Sequence, residues 1–268
     1  MSDQVRLPPF TVQPTFAPLG EAIDWGLALN EVPDLWTQTQ GEDFPVFVLD
    51  NGVDVNHIDL RGAVEETRDF TGFGFSPGDH GTPVAAIIGG RRNDVGIVGV
   101  APRCRLFVGK VLHGICGDFR WTGLGIRWAA DTAPGCLISM SLGGPFADAS
   151  VLDAIEYALS RGCFIICAAG NDGRDDSVNY PAKWHGTVAV GAVRRDGKLA
   201  QFSSRGPEID CCGPGEGITS ASPGGGYSLY NGTSFACPFV TGVVCLAVAK
   251  HKKLGGLTPI GNHAELLD

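Results

Sequence analysis

The chain has 268 residues, 44% of them hydrophobic, with 39 glycines and 17 prolines dispersed along its length. That is enough apolar material for one α/β domain, and the dispersed Gly and Pro read as turn punctuation, not as a low-complexity tract. A formal net charge of −9 argues against a nucleic acid or an anionic membrane as partner, since both need a basic footprint; peptides and small molecules remain.

No apolar run reaches the roughly eighteen residues of a membrane span, and Met1 to Phe10 lacks the basic and apolar regions of a signal peptide, which predicts a cytosolic protein. Nine cysteines occur as singles plus the pair Cys211-Cys212. An odd number without a CxxC pair predicts mostly buried thiols rather than a disulfide framework or a zinc site.

Residues 1 to 20 are rich in Pro and polar groups around Leu7-Pro8-Pro9-Phe10, so they are expected to form an extended arm outside the core. A weak helical pattern spans Ile23 to Trp36. Val46-Phe47-Val48-Leu49 then reads as a buried parallel strand that ends at Asp50, where functional carboxylates sit in open α/β sheets. The following Asn51-Gly52 leaves a simple turn cap equally open for Asp50.

His80-Gly81-Thr82-Pro83 places a histidine at the start of an apolar helical segment, after the turn-forming Ser76-Pro77-Gly78-Asp79. Further apolar runs at 106–112, 137–142, 163–169 and 187–193 alternate with helical stretches, the signature of a parallel sheet between helices. Asn231-Gly232-Thr233-Ser234 sets a hydroxyl before a nearly continuous apolar run from Phe239 to Val248, which reads as a helix buried on all sides. Taken alone, Ser234 is no more than a candidate N-cap. Asp50, His80 and Ser234 together, each at an element end beside glycine, supply an orienter, a base and a nucleophile.

These residues resemble a known family. Asp50-Asn51-Gly52-Val53, His80-Gly81-Thr82 and Gly232-Thr233-Ser234-Phe235-Ala236-Cys237-Pro238 are similar to the three active-site blocks of the subtilisin-like serine proteases, in that family's chain order. Ser139 to Pro145 and Cys167-Ala168-Ala169-Gly170-Asn171 match two further blocks. Departures are Pro83, Phe235, Cys237 and Phe239, none of which removes a catalytic group. The layout is closest to that of intracellular subtilisins.

The resemblance implies an α/β, three-layer fold with a mostly parallel central sheet between helices, and a serine endopeptidase acting on polypeptides through an acyl-enzyme. Ser234 would attack, His80 would take and return the proton, and Asp50 would hold the imidazole. Asn171 would donate to the oxyanion together with the backbone N–H of Ser234. Ser141, Leu142 and Gly143 on one side and Gly117 on the other would receive an extended peptide. Ala168, Ala169 and Gly170 would wall the primary specificity pocket, and Phe119 would border the pocket for the fourth residue upstream of the cut. Asp172 either biases the primary pocket toward a basic residue or is merely solvated, and Arg174-Asp175-Asp176 reads as a solvated loop.

A calcium ion is also implied, held by Asp59, Asn93 and Glu21 with carbonyls of Arg91, Val95 and Ile97; a calcium-free loop is the alternative, because Arg91-Arg92 brings positive charge. The chain is expected to divide into an arm at 1–20 and a protease domain at 21–268, too short for the long folding chaperone domain of secreted subtilisins. The arm resembles the short inhibitory segment of intracellular subtilisins, a floppy tail being the alternative. Ala264-Glu265-Leu266-Leu267 hints at one more helix, and Cys237 is expected to be an inert buried thiol. A non-catalytic peptide-binding relative and an esterase are the competing functions.

Overall fold

The computed structural model describes residues 4–15 and 20–253; the helix anticipated at 264–267 lies outside them. The elements in chain order are β1 (Gln4–Arg6), β2 (Thr11–Thr15), α1 (Trp25–Leu29), α2 (Val32–Leu35), β3 (Pro45–Asp50), β4 (Val64–Asp69), α3 (Gly81–Gly89), β5 (Arg105–Lys110) and β6 (Cys116–Asp118), followed by α4 (Phe119–Thr132), β7 (Leu137–Met140), α5 (Ala149–Ser160), β8 (Phe164–Ala168), β9 (Thr187–Val193), β10 (Cys211–Pro214), β11 (Ile218–Ser222), β12 (Gly226–Asn231) and α6 (Thr233–Lys253).

Seven strands form one sheet in the order β10-β9-β8-β7-β3-β5-β4, and every neighbouring pair is parallel. Its strands are apolar on both faces because helices cover both. Val46, Val48, Leu106 and Ile166 pack with α3 and α6 residues such as Val84, Ile88, Phe235 and Leu246. The alternate positions Phe47, Leu49, Phe107 and Ile165 pack on the other face with Ile126 and Trp128 of α4 and Ile155 of α5. Three layers therefore follow from the period-2 split of near-continuous apolar strands.

The predicted runs at 46–49, 106–112, 137–142, 163–169 and 187–193 correspond to β3, β5, β7, β8 and β9. The edges did not announce themselves: β4 reads VEETRD and is largely exposed, and β10 is the four residues CCGP. The single helix anticipated from Ile23 to Trp36 is two short ones. Asp24 caps α1 by accepting from Gly26 N at 2.9 Å, and Glu31, at φ 55°, breaks the run before α2.

By length and composition α6 is apolar enough to cross a membrane, so the reading that no segment qualifies is corrected: the run extends on both sides of Phe239–Val248. Its residues are mostly buried against α3 and the sheet, as in a core helix.

Candidate active site

Asp50 ends β3 and is fully buried. Its Oδ1 accepts from the backbone N–H of Asn51 at 2.7 Å, and both carboxylate oxygens lie 2.9 Å from His80 Nδ1. A ring nitrogen facing a carboxylate carries a proton, so a neutral His80 has its lone pair on Nε2. That atom is buried and makes no hydrogen bond.

Close backbone approach explains the glycines after both residues. A Cβ on Gly81 would stand 2.0 Å from the Gly52 carbonyl oxygen, and one on Gly52, at φ 115°, would stand 2.2 Å from that of Ser76. The β3 end and the α3 start are thus pressed together, and this brings Asp50 against His80. The Asn51 carboxamide completes the joint: its Oδ1 accepts from Gly81 N at 3.0 Å while its Nδ2 donates to Asp79 at 2.6 Å.

Ser234 is the second residue of α6 and is buried. Its Oγ donates to the Ser141 carbonyl at 3.4 Å, a long bond. Four residues on, Pro238 has no N–H to return to the Ser234 carbonyl, so the helix leaves that acceptor open. The Ser141 hydroxyl fills it at 2.8 Å. The side chain of Ser141 thereby ties α6 to the end of β7, a role that its expected use as a backbone edge did not include; Pro238 four positions after Ser234 was the available signal.

Asn171 is oriented by its neighbour. Its Oδ1 accepts from both the N–H and the hydroxyl of Thr233, at 2.9 and 2.8 Å, and its Nδ2 therefore points away from α6. There it donates to the Pro9 carbonyl at 2.8 Å. The carboxamide orientation follows from this pairing, since the Thr233 N–H needs an acceptor.

The arm runs through the same place. Arg6 exchanges two backbone hydrogen bonds with Gly143, at 3.0 and 2.9 Å, while β1 pairs antiparallel with β6, setting Val5 opposite Gly117. Val5 and Leu7 are buried in one cluster with Leu142 and Phe119. Phe10 then sets its ring edge-on to His80, 4.7 Å between centroids, and β2 pairs with β12. The arm is thus held by two sheets, where an arm outside the core was expected. Ala168 and Ala169 are buried, and Gly170 N donates to the Thr233 hydroxyl at 3.2 Å. Asp172, Arg174, Asp175 and Asp176 are exposed or nearly so, and Asp175 pairs with Arg205 at 3.3 Å.

A second group of expected residues converges on the 91–97 loop. Asp59 is buried, its Oδ2 accepts from Ile97 N at 3.1 Å and its Oδ1 from the Asn93 amide at 3.4 Å. Glu21 accepts from Asn93 N at 3.0 Å. Gly96, at φ 62°, lets the loop wrap the acid: a Cβ there would meet both Asp59 oxygens within 2.5 Å. The Arg91 guanidinium is turned out of this loop onto the carbonyls of Pro102, Cys104 and Gly62. Among the described residues no three His, Cys, Asp or Glu groups gather at one point.

Of the nine thiols, Cys104, Cys136, Cys163, Cys167, Cys237 and Cys245 are buried. Burial pushes the Cys237 thiol up to about 11, which agrees with an inert thiol.

A parallel sheet between two helical layers, with an Asp–His pair at one strand end and a serine at the start of a buried helix, defines the class of serine hydrolases built around an Asp, His, Ser order. The Subtilase family profile matches residues 41–261, and the chain belongs to that family. It is 39% identical to subtilisin of Bacillus pumilus over 86% of each chain. It is also 39% identical to subtilisin E of Bacillus subtilis over 86% of this chain, which spans 62% of that relative's length. An intracellular serine protease of Paenibacillus polymyxa is 36% identical over 92% of this chain and 78% of its own.

Proposed function

We propose that the protein is a serine endopeptidase in which Ser234 attacks the peptide carbonyl, His80 accepts its proton and passes it to the leaving amine, and Asp50 holds the imidazole. The observation that carries this reading is the Asn171 amide at 2.8 Å from the Pro9 carbonyl. A donor whose oxygen is already committed to Thr233 needs no reorganisation to meet a developing oxyanion. The Ser234 N–H at the helix start is the second donor. An esterase of the α/β-hydrolase kind is disfavoured, because the strand before Ser234 is β12, which lies in the antiparallel β11-β12-β2 sheet and outside the central one.

Polypeptides bind as the arm does, between Ser141-Leu142-Gly143 and Gly117, with Ala168, Ala169 and Gly170 walling the primary pocket and Phe119 the one further upstream. The arm, residues 1–20, is inhibitory toward the protease domain, 21–268. Its Pro8 and Pro9 have no N–H to give to the receiving edges, and the Phe10 ring packs edge-on against His80, the residue whose Nε2 must meet Ser234. The relatives named as intracellular serine proteases support a cytoplasmic location.

Calcium suits the 91–97 loop by donor chemistry: Glu21, Asp59, Asn93 and the carbonyls of Arg91, Val95 and Ile97 are hard oxygen donors, the Arg91 charge faces elsewhere, and Arg92, 3.4 Å from Glu21, would have to give way to the ion. The ion would supply structural crosslinking of Glu21 to the loop and no chemistry to the reaction.

The test of the proposed function is a peptide library exposed to wild type and to Ser234→Ala. Internal cleavage by wild type that the variant loses supports it, and equal cleavage by both, or none by either with residues 1–18 removed, refutes it.

A further inference from the structure

We propose that Cys136 and Cys163 form a redox modification site, a dithiol that closes to a cross-strand disulfide when a peroxide or a small disulfide-forming oxidant reaches it. The two sulfurs lie 3.6 Å apart and both residues are buried. Their placement follows from the sheet. Leu137 of β7 is registered with Phe164 of β8, so the residues one step earlier face each other across neighbouring parallel strands, and Phe164 N donates to the Cys136 carbonyl at 2.9 Å. Registered strands run about 4.8 Å apart, inside the Cα window of about 4.4–6.8 Å that a disulfide needs. Closing the bond takes side-chain rotation and a sulfur shift of about 1.5 Å.

The two thiols are unequal. The Cys163 sulfur receives the Cys136 S–H, which holds its thiol below the usual range, with help from the Gly135 and Cys136 N–H groups and the charge of Arg161. Cys136 is pushed the other way by the same hydrogen bond and by burial. Cys163 follows the exposed turn Ser160-Arg161-Gly162, so it is the sulfur nearer to solvent and the one that attacks. With hydrogen peroxide the Cys163 thiolate displaces hydroxide and becomes a sulfenic acid. The Cys136 sulfur then attacks it, giving up its proton as the S–O bond breaks. Two thiols and one peroxide yield one disulfide and two waters.

Most of the other thiols are disposed differently. Cys116 and Cys212 are exposed, and Cys167 and Cys237 are fully buried with both thiols pushed up by desolvation. The Cys136–Cys163 pair sits at the amino-terminal end of the central strands β7 and β8, the opposite end from that which carries Asp50 on β3, and these strands lead to Ser141–Gly143 and to Ala168–Asn171. A link there closes the segment carrying β7 and α5, so the oxidised protein melts higher, by several degrees.

The experiment uses the full chain treated with one equivalent of diamide or hydrogen peroxide, alkylated under denaturing conditions and mapped by mass spectrometry. The expected result is a peptide pair joining Cys136 to Cys163, two hydrogens lighter, reversed by dithiothreitol and absent in Cys163→Ala, with the rise in Tm. If both cysteines are recovered alkylated while Cys116 or Cys212 carries the oxidation, Cys116→Ser/Cys212→Ser protein with excess oxidant decides. A Cys136–Cys163 link there supports the proposal, and two free thiols there overturn it.

Discussion

The cleft and the 91–97 loop both gather polar groups beside a glycine-rich turn, yet they hold them in opposite ways. At the cleft, Asn171 spends its oxygen on Thr233 and turns its amide to the Pro9 carbonyl, so under the proposed function the oxyanion donor is in place before any substrate arrives. In the loop, Asp59 and Glu21 are already met by the N–H groups of Ile97 and Asn93. A cation binding there competes with hydrogen bonds, whereas a peptide carbonyl entering the cleft replaces only the arm. Preorganisation of this kind raises a rate; satisfied carboxylates that a cation shares with N–H groups raise stability more modestly.

The comparison breaks first at the proposed catalytic groups. Ser234→Ala is expected to lower kcat by about four to six orders of magnitude with unchanged Tm, and His80→Ala to lower it comparably but with a lower Tm, because the buried Asp50 carboxylate loses its donor; steady-state peptide kinetics would check this, and a residual rate within tenfold of wild type would contradict it. Next, Asn171→Ala is expected to lower kcat about a hundredfold or more with little change in KM, because its bond strengthens in the transition state. A KM effect alone would assign Asn171 to ground-state binding.

Deleting residues 1–18 sharpens the cleft side. Freed of Pro9 and Phe10, the enzyme should show at least about tenfold higher kcat/KM, equivalent to about 1.4 kcal/mol of arm binding, in a fluorogenic peptide assay of both forms. Equal activity would make the arm a bystander. The loop is expected to give the smaller response: EDTA should lower Tm by a few degrees and added calcium restore it, as mass action on a native-state ligand requires. Ser141→Ala should lower Tm by a similar amount, since the Ser234 carbonyl loses its donor and Pro238 cannot replace it, at a cost of about 1–3 kcal/mol.

The pairing of Asp50 with His80 was legible in the sequence for a physical reason: the two stand at a strand end and a helix start close to glycine, as the proposed nucleophile Ser234 stands at the start of α6, and such junctions leave short-range marks. Buried strands such as Val46-Phe47-Val48-Leu49 are similarly plain, because both faces are apolar. What escaped is what depends on long-range contact. Nothing local in Ser141 says that its hydroxyl reaches the carbonyl of Ser234, ninety-three positions on. The edge strand β4 is polar on both faces and carries no period. The thiol pair Cys136 and Cys163 emerges only when the register of β7 on β8 is known.

The most direct measurement of the central claim is active-site labelling. Protein lacking residues 1–18 treated with a fluorophosphonate should gain one adduct, mapped to Ser234, lost in His80→Ala and formed more slowly in the full chain. No adduct, or an adduct on another hydroxyl, would contradict the assignment of Ser234 as the nucleophile activated by His80.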